Sequence, residues 1–382
     1  MVPVVDLSRH APELVAQFLL RVEQVLARGI VLLGPETDAF EHELATWADA
    51  AGAVAVSSGA AALQLTLAAL GVGPGDEVIV PAFTAVPTAA AVCALGATPV
   101  FADVDPATAA LTESSMLAAR TLRTKAVVVV HLYGRPAPLP NTDLPVVEDA
   151  AQAMGALDRH DRSAAVAYSF YPTKNLGGMG DGGAIVSNDP ALLERARRLR
   201  VHGMTEQYVH EWVSQNFRMS EMEAAWLRLG LPLLDRWNEA RRDIAARYRV
   251  AAPDLTWHAA DDRHVHHLCV FRTDHRSAVR HRLTELGVGT GVHYPLALTQ
   301  QPAYRHLATD PCPEAEAWAN ECVSVPCFPQ MTDDEVEAVS AALASISAST
   351  STSTSASTST STSTSTSTSI STSVATHDRE LR

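Results

Sequence analysis

From about residue 53 to residue 188, short apolar runs of strand length alternate with longer stretches of helical spacing. Ala53 to Val56 reads as a strand, and a helix over Ala60 to Leu70 ends at Gly71. The turn Gly73-Pro74-Gly75-Asp76 leads into a strand over Glu77 to Val80. A helix around Pro87 to Leu95 stops at Gly96, and Thr98 to Ala102 is the next strand. Further strands are expected at Ala126 to His131, Leu144 to Val147, Ala164 to Phe170 and Ala184 to Ser187. The strands are apolar throughout instead of alternating, so both of their faces must be covered. The pattern predicts an α/β fold with a mostly parallel central sheet flanked by helices. In such sheets, ligands collect at the carboxyl ends of the strands.

Residues 219 to 249 carry long helical periodicity that Pro232 should interrupt. Beyond them, Leu268 to Arg272 reads as a strand, and Ser277 to Leu286 and Asp333 to Leu343 as helices. These elements suggest a smaller C-terminal α/β domain. The domain reading is therefore a large domain over 1–245, a small domain over 246–344 and a Ser/Thr-rich tail over 345–382. From Ser345 to Ser373 it is almost wholly Ser and Thr in alternation without charge, with little apolar surface to offset the ordering entropy, and the tail is expected to be disordered.

Composition narrows the function classes. With 382 residues and 47% hydrophobic content, the chain can bury a large core. A net charge of −14 argues against nucleic acid and anionic membranes as partners. The Arg195–Arg200 run reads as a solvated helix face. Five irregularly spaced cysteines argue against a disulfide framework. No signal peptide and no membrane-length apolar run are visible, so a cytoplasmic location is expected. His264, His266 and His267 lie close together, but no Cys or acid completes a ligand set, and no metal site is expected.

The densest chemistry lies in Ser169-Phe170-Tyr171-Pro172-Thr173-Lys174-Asn175-Leu176-Gly177-Gly178. Lys174 follows a strand and sits in a tight, Gly-rich turn poor in other charge. A lysine held in such a cleft loses its proton more readily and can form a Schiff base with a carbonyl. A second polar island, Glu148-Asp149-Ala150-Ala151-Gln152, also lies just past a strand. An amine for an aldehyde and a carboxylate for a pyridinium nitrogen together suggest pyridoxal phosphate. Ser58-Gly59-Ala60 opens a helix after a strand and would offer backbone amides to a phosphate.

Seven collinear motifs then carry a family resemblance. They are SSGAAALQLTLAALGVGPGDEVIVPAFT, VHLYG, VEDAAQAMGA, SFYPTKNLGGMGDGGAIVSND, NFRMSEMEAA, GTGVHYP and VSVPCFP. In this order they resemble the sugar aminotransferases of the DegT/StrS family over about residues 3 to 343. The resemblance implies a fold-type I enzyme that works as a homodimer. It implies amination of a nucleotide-linked keto sugar with glutamate or glutamine as donor.

Residue by residue, Lys174 matches the cofactor lysine and Asp149 the aspartate at the pyridine nitrogen. Gln152 matches a position near the phenolic oxygen of the ring. Gly59, Ala60 and Ser169 match phosphate-binding positions, and Asn216 an asparagine that reaches the phosphate from the partner subunit. Tyr294 of His293-Tyr294-Pro295 falls near the substrate entrance. The chain departs from the family pattern at Ala60, where many relatives have Thr, and at Ala85, where relatives often place a ring-stacking aromatic. It also has Thr299-Gln300 near the substrate position, and only Arg135 to Leu144 where a crossover helix is usual. The motifs leave open a keto cyclitol as acceptor, and the departures leave open a non-catalytic shortened relative. Lys174 argues against the family's dehydratases, which have His at that position.

Overall fold

The computed structural model describes residues 1–157 and 162–357. Two helices open the chain, α1 (Pro12–Arg28) and α2 (Pro35–Trp47). There follow β1 (Gly52–Val56), α3 (Gly59–Ala69), β2 (Glu77–Pro81), α4 (Val86–Cys93), β3 (Thr98–Ala102) and α5 (Glu113–Ala119). Next come β4 (Thr124–Val130), β5 (Val146–Asp149), β6 (Ala165–Ser169) and β7 (Gly183–Ser187). These strands form a seven-stranded sheet of order β1-β7-β6-β5-β4-β2-β3. From β6 to β3 the pairing is parallel, and β7 runs antiparallel to both neighbours.

The continuous apolar strands have the predicted cause. Val54 and Val56 of β1 enter one core with Leu63 and Leu67 of α3. Ala53 and Ala55 enter a second core with Phe40 and Leu44 of α2. Each face of the sheet is therefore covered by helices.

The connection from β4 to β5 has no helix: a 3-10 turn over Leu132–Gly134 leads into the Pro136, Pro138 and Pro140 segment. The prolines remove donors and block helical continuation, yet β4 and β5 still pair in parallel. β5 itself begins at Val146, not Leu144, and continues through Asp149, so both acids of the polar island are strand residues.

After α6 (Pro190–Arg200) comes the hairpin of β8 (Met204–Glu206) and β9 (Val209–His210), followed by α7 (Glu221–Gly230) and α8 (Leu234–Ala251). The break expected at Pro232 is a 3-10 turn over Leu231–Leu233. A second, antiparallel sheet of order β10-β11-β12 follows, from β10 (Thr256–Trp257), β11 (Cys269–Arg272) and β12 (Cys322–Val325). With it come α9 (Arg276–Glu285), α10 (Pro313–Glu321) and α11 (Asp333–Ser357). Tyr248 of α8, Phe271, Leu283, Val325 and Leu343 form its core.

The start of the Ser/Thr segment departs from the expectation of disorder. Residues 345–357 continue α11, and Ile346 is buried in that core. A helix nucleated and pinned by Val336, Val339 and Leu343 propagates at little cost per residue. Residues 358–382 lie outside the described residues.

His258, His264, His266 and His267 are buried close together. His258 Nδ1 lies 3.2 Å from His264 Nε2, and the His264 and His266 rings stack at 3.8 Å. Among the described residues no group of three or more His, Cys, Asp or Glu is placed to hold a metal. Burial, the largest cause, pushes His258 down to about 4 and His266 down to about 3. The unfolded chain takes up protons on these rings below about 6.5, and the folded chain does not. Stability is therefore fully present above that pH and lost as pH falls from about 6.5 toward 4, by about 1.4 kcal/mol per pH unit for each such ring. Urea midpoints at pH 7.5 and pH 5 should show this fall, and His258→Asn should flatten it.

Candidate active site

Segments at the carboxyl ends of β1, β5 and β6 converge. Gly183 of β7 pairs with Val56 on one side and Ser169 on the other. A side chain there would not fit, because a Cβ at Gly183 would lie 2.3 Å from the carbonyl carbon of Ser58. Ser58 caps α3, its Oγ accepting from the Ala61 amide at 3.1 Å. Gly59 sits against Ser169, and a Cβ at Gly59 would come within 2.6 Å of Ser169 Cβ. The amides of Gly59 and Ala60, in the first turn of α3, have no partner within the helix. With the Ser169 hydroxyl beside them, they form a small, dipole-favoured anion cradle. Ala60 brings no side-chain donor to it.

Lys174 follows β6, its amide donating to the Tyr171 carbonyl at 2.8 Å. The chain has two lysines: Lys125, exposed in β4, and Lys174, half-buried. Burial lowers the Lys174 amine to about 8, with the Asp149 carboxylate opposing the shift. Asp149, 5% exposed, ends β5. Its Oδ2 accepts from Thr88 Oγ1 at 2.9 Å and its Oδ1 from the Ala151 amide at 3.1 Å. Burial raises its proton affinity, while these two donors and the Lys174 charge pull it back. Gln152 bridges two parts of the chain. Its Oε1 accepts from the Tyr133 amide at 2.6 Å, and its Nε2 donates to the Tyr294 hydroxyl at 2.9 Å. Tyr133 holds a left-handed backbone with φ 59° and donates its own hydroxyl to the His293 carbonyl. Burial pushes the Tyr294 phenol up to about 12.

A cavity of about 260 Å³ opens beside the amine, its walls including Thr173, Lys174, Arg241, His267, His293 and Tyr294. The loop after Lys174 is fastened by Glu223 of α7, whose Oε2 accepts from the Gly180 amide at 3.1 Å. A Cβ at Gly178 would lie 1.6 Å from Glu223 Oε1, which explains a glycine there. Burial raises the Glu223 carboxyl to about 7.

The structure thus brings Lys174, Asp149, Gln152 and Tyr294 together, and places Gly59, Ala60 and Ser169 at one cradle. Asn216 makes no hydrogen bond to either group, although the adjacent Phe217 carbonyl accepts from the Ser57 amide at 2.8 Å. Asn216 is exposed, and its Oδ1 accepts from Arg218 Nε at 2.9 Å. Ala85 is the N-cap of α4 without a side-chain cap. Phe83 does not replace the missing aromatic, because it is buried and stacks on Trp318 at 6.0 Å. Thr88, Tyr133, Glu223, Arg241 and His267 were not foreseen as site residues. Tyr133 and Glu223 lie inside the quoted motifs, but only the tertiary contact gives them a role.

The model of the DegT/DnrJ/EryC1/StrS aminotransferase family matches residues 12–344. The chain belongs to this family. It is 41% identical over 360 residues to the erythromycin biosynthesis sensory transduction protein EryC1 of Saccharopolyspora erythraea, covering 90% of this chain and 98% of that one. It is 42% identical over 350 residues to the dTDP-3-amino-3,4,6-trideoxy-alpha-D-glucose transaminase of Streptomyces venezuelae, covering 86% and 92%. Among solved structures, S. venezuelae DesV in complex with a ketimine intermediate superposes with a TM-score of 0.86 at 39% identity, covering 91% and 98%. The shared fold is that of this aminotransferase family, and the chain is an aminotransferase.

Proposed function

We propose that this aminotransferase uses pyridoxal phosphate to move an amino group from glutamate or glutamine to a nucleotide-linked keto-deoxysugar, in amino-sugar biosynthesis. One observation carries the reading: Lys174, one of two lysines, lies past the end of β6 within electrostatic reach of the buried Asp149 that ends β5. The donor set fits the cofactor. Lys174 would hold its aldehyde carbon, Asp149 its ring nitrogen and Gln152 the side of the ring bearing the phenolic oxygen. Gly59, Ala60 and Ser169 would hold its phosphate. When bound, the cofactor supplies an electron sink for the carbon that loses or gains a proton.

The remaining work falls to the chain itself. With its amine lowered to about 8, Lys174 can both hold and release a proton near neutral pH, which suits a general acid–base at the reacting carbon. Thr88 and the Ala151 amide orient Asp149, and Gln152 fixes Tyr294 at the cavity wall. The transaminase name of the S. venezuelae relative supports a nucleotide-linked acceptor. Feeding ¹⁵N-glutamate with a panel of nucleotide-linked keto sugars and keto cyclitols tests this. Label should enter a sugar nucleotide, and label confined to a cyclitol would overturn the acceptor assignment.

The enzyme works as a homodimer with shared sites in this reading. Asn216 projects from the chain, and Leu19, Leu20, Leu26, Ile30 and Val31 form exposed apolar surface on and after α1 that a second copy would cover. Asn216 would then reach the partner's phosphate cradle. Mixing inactive Lys174→Ala subunits with Asn216→Ala subunits should restore about a quarter of wild-type activity, since half the dimers are mixed and each keeps one intact site. No recovery after verified exchange would place Asn216 outside the site. In this reading residues 1–245 are a large cofactor-binding domain and residues 246–344 a small C-terminal domain. The cysteines of the structure are unpaired, and we place the enzyme in the cytoplasm.

A further inference from the structure

The cavity beside Lys174 contains a cation without a counter-ion. Arg241 of α8 is 5% exposed and lines this cavity. Its Nη1 donates to the Cys327 carbonyl, while its Nε is buried with no partner. Among the described residues no carboxylate pairs with it, and the Cys327 thiol is the one neighbour that favours its charge. A guanidinium stays charged in proteins, and a buried charge left unpaired is costly. Its Nε keeps an unused donor, and a planar anion could satisfy it together with the charge.

His267, on the same wall, has a buried Nδ1 without a partner. Burial first, then the charges of Lys174 and Arg241, hold that ring neutral, so it can donate one hydrogen bond without adding charge. The other walls include Val4, Val5, Leu268 and Val325, which are apolar. The cavity, about 260 Å³, has room for an α-amino acid beside the amine. The anion cradle of Gly59, Ala60 and Ser169 does not line this cavity, so the two anion sites are separate.

We propose that Arg241 and His267 bind the carboxylate on the amine-bearing carbon of the amino donor, setting its amine toward Lys174. The assignment rests on the aminotransferase reading and gives it a donor subsite. A carboxylate one carbon from the amine is common to glutamate and glutamine, so the site selects α-amino acids and leaves their side chains to be read elsewhere. A simple amine would leave Arg241 unpaired and should be a poor donor.

The test is calorimetric titration of the pyridoxal phosphate holoenzyme with α-methyl-L-glutamate, which keeps the carboxylate but has no proton at that carbon to give up. Arg241→Met should weaken binding by about 100-fold, as expected for a lost charge-assisted pair. Arg241→Lys keeps the charge but loses the Nε donor and should fall between. Arg247→Met, changed on the same helix at an exposed ion pair with Asp333, should bind as wild type. In donor kinetics, wild type should favour L-glutamate over 4-aminobutyrate, and Arg241→Met should lose that preference through the glutamate KM. Arg241→Met and Arg241→Lys variants that are folded and bind the probe as tightly as wild type would overturn the assignment. A wild-type holoenzyme that binds no amino acid would instead overturn the aminotransferase reading on which it rests.

Discussion

Lys174→Ala is expected to lower kcat by at least about 10⁴-fold while leaving the fold intact. The variant removes both the covalent anchor and the proton carrier, and positioned acid–base catalysis alone is worth about 10²–10⁴-fold. Lys125 is exposed in β4, so it offers no substitute amine. Stability should not fall, because alanine relieves the burial that lowers the Lys174 amine to about 8. Steady-state turnover and a thermal melt on the same preparation check both halves. A variant that keeps a tenth of wild-type activity would remove Lys174 from the chemistry.

The largest stability effect is expected at Glu221→Ala. Glu221 is fully buried, and it caps α2 from the start of α7. Its carboxylate accepts from the Gly34, Glu36 and Thr37 amides at 2.9 Å each and from Thr37 Oγ1 at 2.5 Å. Truncation orphans four buried donors at a helix N-terminus. Each costs about 1–3 kcal/mol when unpaired, and water entering the gap recovers part, so a loss of about 4 kcal/mol is expected. Denaturant unfolding measures it directly. A loss under about 1 kcal/mol would show that α2 is capped by other means. Because α7 follows Asn216 and carries Glu223, such a loss should also loosen the lysine loop.

Much of this was legible because continuous apolar strands and Gly-terminated helices are local signals. The strand from Thr98 to Ala102 and the break at Pro232 fell where the pattern put them. The Lys174 and Asp149 pair was legible because both residues punctuate strand ends. Less was legible where meaning depends on distant partners. The β5 start differs because Leu144 and Pro145 extend the apolar run, while the paired register begins only at Val146. The helix through residues 345–357 was missed because Ser and Thr have weak propensity of their own, and packing of Ile346 is a tertiary fact. Arg241 looked like one arginine among many on a long helix. Only the cavity and the absent counter-ion make it stand out.

The most direct measurement of the central claim is borohydride reduction of the enzyme loaded with pyridoxal phosphate, followed by mass mapping of its peptides. With two lysines in the chain, the outcome is a choice between two peptides. The account predicts a reduced cofactor adduct on the peptide holding Lys174 and none on the one holding Lys125. An adduct on Lys125 alone, or cofactor that binds without ever being fixed to Lys174, would contradict it.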